Sequence, residues 1–337
     1  MGIRVGRNSH KSAVIAYVDD ETLQLTSPSE IPKLQTIPDQ YGKAGGAKNY
    51  IQKSKAMAVG MWDTTVNIMG IPYYENMKIL GIHFTRTASQ SALKSWSVVT
   101  DGLREQAREA YYRELSLNKR MHFVHTYMLA CAWFTAQIFP MPRTCERQIN
   151  TAITWFLWRG SIFRVPVSTI QRRKLQSGWD LINVSAKSRA LLHFRLQAQS
   201  TAPGTLTADW FRKWNLQIPG PNPPQIQRIP ANIEYPHQFA MDGACITPQQ
   251  KNETSKAYKR RIYDTTATLL RETPELPVVR ISRLWTTTDW TSVWSNLRGT
   301  PVPEDIKMDW YRAIHDIIRT QDRLNRIDMA ATNLCRH

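Results

Sequence analysis

Acidic side chains are scarce in this sequence: 27 Asp and Glu face 44 Lys and Arg, a formal net charge of +17. Residues 1–18 carry no Asp or Glu at all. The imbalance points away from polycationic partners. It favours a polyanion, because Lys and Arg placed on phosphates release condensed counterions. Cysteine is equally sparse. Cys131, Cys145, Cys245 and Cys335 lie far apart with no C-x-x-C, which excludes a disulfide framework and suits a reducing, intracellular compartment. Long apolar runs are missing. The most apolar segment, "YMLACAWFTAQIFPMP", is closed by Pro140 and Pro142. It is too short for a membrane span and reads as a buried helix, so no membrane partner is expected. The basic N-terminus lacks the apolar core of a signal peptide, and Gly6 stands where a myristoylation motif needs Ser or Thr. Internal repeats are absent.

The residues that are present read as α+β. An apolar share of 42% over 337 residues supports a sizeable core in roughly two domains. Ala13, Ile15 and Tyr17 alternate with Val14 and Ala16, and Leu23 and Leu25 alternate with Thr22, Gln24 and Thr26. This period of two predicts a β-hairpin over 13–26. "KSKAMAVGMW" and "KILGIHF" are read as further short strands. From about Ser89 the period becomes helical, with Leu93, Trp96, Val99, Leu103, Ala107, Ala110 and Leu115 on one stripe. Further helices are expected over 118–139, around Ile149 to Leu157, over 185–200, from Thr254 onward, and over 305–327. Prolines cluster between 202 and 248, as in "IPGPNPPQIQRIP", which reads as a linker.

The hairpin places two like charges, Asp19 and Asp20, side by side at or near its turn. One reading is a solvated turn, since Asp is a favoured turn residue. The other is a Mg²⁺ site, because a hard cation takes oxygen ligands and removes the repulsion between them.

The order of the following segments bears on that choice. "AYVDDETLQLTSPSE" resembles the (F/Y)-x-D-D palm hairpin of reverse transcriptases from non-LTR, LINE-type retrotransposons. "YGKAGGAKNYIQKSKAM" resembles that family's next motif, and "KILGIHF" resembles the strand after it. "RELSLNKRMHFVHTYMLACAWFTAQIFPMP" and "INTAITWFLWRG" are similar to the thumb, and "RRKLQSGWDLINVSAKSRALL" to a Gly-Gly-Leu segment. The C-terminal "DWYRAIHDIIRTQDRLNRIDMAATNLCRH" resembles the run into a zinc-binding module. The resemblance implies an antiparallel palm remnant over 1–88 and a helical thumb over 89–201. A Pro-rich linker over 202–253 and a helical C-terminal region over 254–337 would follow.

It also implies roles. Asp19 would be the Mg²⁺ (or Mn²⁺) ligand and Asp20 its support. Tyr17 would touch nucleic acid near the primer end. Lys53 would lie by the phosphates of the incoming dNTP, and Leu80-Gly81 would form the turn that grips the primer. The implied partners are an RNA template and a DNA primer in an RNA/DNA hybrid. The implied chemistry is attack of a primer 3′-hydroxyl on a nucleoside triphosphate between two metals, in the nucleus by family habit. Gly45, Tyr50 and Trp179 depart from the family pattern. Two metals need a further carboxylate, which the family supplies from an upstream strand. The chain by itself is therefore expected to be catalytically incomplete. Cys335 and His337 supply two of the four ligands that a zinc module takes, so zinc is not expected. The alternatives are a non-catalytic nucleic-acid-binding protein and a decayed transposon reading frame.

Other clusters remain open. His122 and His125, three apart on a helix, read as a plain helix face rather than a metal site. Arg172-Arg173-Lys174, Lys259-Arg260-Arg261 and the Arg104/Arg108 stripe are candidate phosphate contacts or solvated faces. Trp96, Trp133 and Trp155 read as core.

Overall fold

The computed structural model describes residues 3–4, 11–12, 14–17, 20–23, 25, 27–32, 36, 40, 42–43, 51–58, 62–161, 164–174, 177–201, 250, 252–269, 288–315 and 317. Asp19, Cys335, His337 and nearly all of the Pro-rich stretch lie outside them. The described part is α+β: short antiparallel hairpins followed by helices. Its contacts fall into two units. Unit 1 comprises Met1–Ser95, Thr135–Met141 and Arg189–Thr265; unit 2 comprises Trp96–Phe134, Pro142–Ser188 and Thr266–His337.

Among its described residues unit 1 holds three separate two-stranded sheets. β1 (Ile3–Arg4) pairs with β2 (Lys11–Ser12), β3 (Val14–Tyr17) with β4 (Asp20–Leu23), and β5 (Asn76–Ile79) with β6 (Ile82–Thr85), all antiparallel. The hairpin expected over 13–26 is present as β3 and β4. "KILGIHF", expected as one strand, instead turns at Leu80-Gly81 and forms most of the β5–β6 hairpin. The described part of "KSKAMAVGMW" makes only one parallel bridge, Ala56 to Tyr73. The chain is held there by side chains instead: Trp62 Nε1 donates to Tyr73 Oη at 2.9 Å, which donates to the Val66 carbonyl at 2.9 Å. β6 would present an unpaired edge, but Ser91 and Ser95 of the following helix cover it. The His83 and Thr85 amides donate to Ser95 Oγ and Ser91 Oγ at 3.0 and 2.8 Å. Buried backbone groups are thereby paired without a further strand. A second small core of unit 1 packs Ala190 against Tyr258 and Ile262, with Phe194 and Tyr263 beside them.

Helix α1 (Ala88–Tyr111) starts in unit 1 and continues in unit 2. Its buried stripe is Ala92, Trp96, Thr100, Leu103, Ala107 and Ala110, while Leu93 is exposed. The expected stripe was displaced at its start because Thr100 is tolerated in the core: its hydroxyl donates to the Trp96 carbonyl at 2.8 Å.

Unit 2 continues with α2 (Leu117–Phe123), a π-turn over Val124–Met128, a 3-10 turn over Leu129–Cys131 and α3 (Ala132–Ala136). The sequence predicts one helix over most of this range; a π-turn inserts a residue that periodicity does not register. In chain order there follow α4 (Arg143–Trp158), the single turn α5 (Val167–Ile170), α6 (Val184–Thr201) and α7 (Ser255–Leu269), the last two belonging mostly to unit 1, and then α8 (Trp290–Gly299) and α9 (Glu304–Ile314) of unit 2. In the core of unit 2, α4 buries Ile149, Ile153, Phe156 and Leu157, and Met121, Val124 and Met128 are buried on the α2 run. Fully burying each large apolar side chain contributes about 1.5–3 kcal/mol. Among the described residues no helix is long and apolar enough to cross a membrane.

Candidate nucleic-acid interface

The described site residues among those expected from sequence fall on three local structures of unit 1. Tyr17 stands opposite Asp20 in the β3–β4 ladder, which fits a tight hairpin. Lys53 ends a 3-10 turn, Ile51–Lys53, and is exposed. Leu80 and Gly81 connect β5 to β6 with φ of 48° and 87°. Both values are positive, as a type I′ hairpin requires. Glycine takes that conformation freely, whereas leucine is strained in it. Leu80 nevertheless holds its side chain 44% exposed at the tip, and such strain is a marker of functional turns. Beside this turn Lys78 pairs across the ladder with His83. Burial, then Lys78 and Lys94, hold the His83 imidazole below its usual range, so this end of the hairpin is electropositive. Among the described residues the β3–β4 and β5–β6 hairpins share no ladder.

Unit 2 carries a second basic region that single-residue reading did not find. Arg120 of α2 is half-buried and donates to the carbonyls of Phe156 and Leu157 at the end of α4. There a cation meets the negative helix terminus. α4 then ends on Arg159, in the left-handed conformation at φ 50°. Its guanidinium donates to the Arg113 carbonyl at 3.2 Å. Burial, and then the charges of Arg159 and Arg312, push Arg120 down to about 10. Its Nε is buried without a hydrogen-bond partner. Arg312 lies 5.6 Å from the Trp158 ring and 3.4 Å from Asp309. This is a group of cations that repel one another. For Arg120 a sequence signal exists, since no Asp or Glu occurs from Leu115 to Cys145.

Aromatic rings surround the same region. Tyr111 stacks on Trp155 at 4.8 Å, and Phe123 lies 5.1 Å from Tyr127 and 5.4 Å from Phe156. Tyr112 and Tyr127 are 86% and 60% exposed. Trp96 is core as expected, but Trp155 is 36% exposed, and its stacking partner Tyr111 is only half-buried. A groove of about 470 Å³ runs beside Arg113, Asn118, Lys119, His122, Phe123 and Tyr127.

His122 and His125 do not converge on a metal. His125 Nε2 accepts the Ile182 amide at 3.2 Å, while His122 contacts Thr126. Burial, and then His122, keep His125 below its usual range, in line with an accepting nitrogen. Among the described residues no group of three His, Cys, Asp or Glu could hold a metal ion.

Of the other basic clusters, Arg104 and the Lys259-Arg260-Arg261 triplet have side-chain partners. Arg104 meets Asp101 at 3.4 Å rather than Glu105 or Glu109. The backbone of the Arg172 triplet is part of a packed loop. Trp179 and Asp180 amides return to the Ile170 and Arg172 carbonyls at 2.9 Å each. A Cβ on Gly178 would lie 1.9 Å from the Arg172 carbonyl oxygen, so only glycine fits. Arg298 of α8 donates to the Lys174 and Gly178 carbonyls, and Tyr311 of α9 to that of Ser177 at 2.7 Å. Trp179, Trp294, Tyr311 and His315 pack edge and face around them. α8 falls within the C-terminal region expected to be helical, and Asp289 as N-cap with Trp290, Val293, Trp294 and Leu297 at helical spacing marks its bounds. No protein-family model matches this sequence, and no curated protein matches it.

Proposed function

We propose that this chain is the palm-remnant, thumb and C-terminal portion of an RNA-directed DNA polymerase of the non-LTR retrotransposon type. The observation that carries the reading is the β3–β4 register, with Tyr17 opposite Asp20, followed in order by the strained Leu80-Gly81 hairpin tip. Asp19 and Asp20 offer hard oxygen ligands suited to Mg²⁺ or Mn²⁺. Bound there, the metal would polarise phosphoryl oxygens during nucleotide transfer. The chain's own residues act around it. Tyr17 contacts the primer end, Lys53 meets the phosphates of the dNTP, and Leu80-Gly81 grips the primer strand against the template RNA. A two-metal centre takes a carboxylate from a further strand, so this chain requires a complementing segment to polymerise. The test is primer extension on an RNA template with Mg²⁺ or Mn²⁺, using the chain alone and with a polypeptide bearing fingers and that carboxylate strand. Extension only with the complement, and lost in Asp19→Ala, is the expected result. Extension indifferent to Asp19→Ala would remove the reading.

A second reading, a non-catalytic polynucleotide-binding protein, draws on the mutually repelling cations Arg120, Arg159 and Arg312. Phosphates would relieve that repulsion, and this relief does not depend on catalysis.

A further inference from the structure

We infer that the groove of unit 2 beside Tyr127 seats a single-stranded polynucleotide, one base stacking on Tyr127 and adjacent phosphates resting on Arg113 and Lys119. The inference rests on the polynucleotide reading above for its ligand class, and adds the strand form and the seat. Three observations point to it. The Tyr127 ring is 60% exposed yet backed by Phe123 at 5.1 Å, so a flat face is offered without a large ordering cost. Phe123 is in turn steadied by Phe156 at 5.4 Å and by the Arg113 guanidinium at 5.9 Å. No acidic side chain lines the groove, whereas Arg113 and Lys119 do. Its volume of about 470 Å³ lies within the roughly 300–1,000 Å³ of small-ligand clefts.

Those features select a single strand over a duplex. Aromatic stacking needs a base whose face is free, and paired bases hide their faces in the helix stack. They also select a polynucleotide over an acidic peptide, which would use the cations and leave the exposed ring idle. The seat tolerates any base, since every base has a π-face and no base-edge partner is required.

The test is fluorescence anisotropy of the full chain with labelled oligo(U), oligo(dT) and an RNA/DNA hybrid, each of about 12 nucleotides, within the span of known single-strand sites. Tyr127→Ala is expected to weaken single-strand binding by about 5- to 100-fold, the range of one lost base stack. Tyr127→Phe should stay within about 2-fold, because it keeps the ring. Lys119→Ala should lower the slope of log affinity against log salt by about 0.7. Hybrid binding should be untouched by Tyr127→Ala. Unchanged thermal unfolding of the Tyr127 variants verifies the fold. The inference is overturned if Tyr127→Ala binds both single strands as the parent does, or if Phe loses as much as Ala. Displacement of oligo(U) by poly-glutamate at equal charge concentration would overturn it too. Tyr127-dependent binding without Asp19-dependent extension would retain the groove and remove the polymerase; the converse would remove the groove alone.

Discussion

The Lys259-Arg260-Arg261 triplet on α7 and the Arg113, Arg120, Arg159 and Arg312 group of unit 2 carry similar charge in different surroundings. On α7 each cation has a neighbour. Lys259 Nζ sits 4.2 Å over the Phe194 ring, Arg260 lies 3.9 Å from Asp264, and Arg261 meets Glu253 at 2.8 Å. The Arg261 guanidinium is accordingly raised by its bonds to Glu253. Arg120 is shifted the other way, by burial and by two further guanidinium groups. A basic triplet in a sequence is thus a poor guide to uncompensated charge. Arg312 has Asp309 at 3.4 Å, but where cations converge from separate elements and repel one another an anion has something to neutralise. The α7 triplet is instead largely engaged in holding its own helix. Exposed pairs such as Arg260 and Asp264 contribute little.

The largest expected effect compares the units through acid. His193 in unit 1 and His315 in unit 2 are both lowered to about 4. Burial causes the first shift. For His315, burial leads, a backbone bond to Ser177 opposes it, and Arg172 adds repulsion. Unfolded histidine titrates near 6.5, so the unfolded chain binds more protons between about 4 and 6.5. Stability contributed by each neutral imidazole is therefore intact above about pH 6.5 and is lost as pH falls toward about 4. The loss reaches about 3 kcal/mol per histidine. Urea unfolding from pH 7 to 4 measures it, and His315→Gln should flatten the slope. An unchanged slope would place His315 in water.

Next in size is Arg120→Met. It removes a charged donor from the Phe156 and Leu157 carbonyls and should lower stability by about 2 kcal/mol. The like-charge repulsion it relieves offsets part of the loss. Thermal unfolding in low and high salt separates the two contributions. The parent should gain from added salt more than the variant, because salt screens the repulsion.

The smallest effects lie on α7. Arg261→Ala should cost about 1 kcal/mol, since its pair with Glu253 is two-pronged at 2.9 and 2.8 Å. Arg260→Ala should stay within about 0.5 kcal/mol. Denaturant midpoints of the two variants decide this. Equal losses would mean that the α7 cations act as one network, which would weaken the contrast with unit 2.

The β3–β4 hairpin and most helices are legible because their signals are local, whereas the β1–β2 hairpin has no such signal. Alternation around Tyr17, the Leu-Gly tip and the stripe through Trp96, Leu103 and Ala107 are each contained within one element. The failures have equally physical causes. Leu93 gave way to Ala92 and Thr100 on the buried face of α1, since a hydroxyl bonded to its own helix is no longer polar to its surroundings. Trp155 reads as core from the apolar face it falls on, yet it is 36% exposed and stacks on the half-buried Tyr111. His125 was placed on a plain helix face, and the Ile182 amide, distant in sequence, gives it a specific partner.

The residues alone determined that this chain is basic, helical after its opening hairpins, and poor in acid around the region that gathers arginines. Those properties follow from composition and from periods of two and 3.6 residues, which need no distant partner. Only the tertiary structure decided which charges stay uncompensated, that Gly178 must lie against the Arg172 backbone, and that Tyr127 stands open beside Arg113 and Lys119. Each of these depends on residues far apart in sequence arriving within a few ångströms, where Coulomb energy and steric exclusion change steeply with distance.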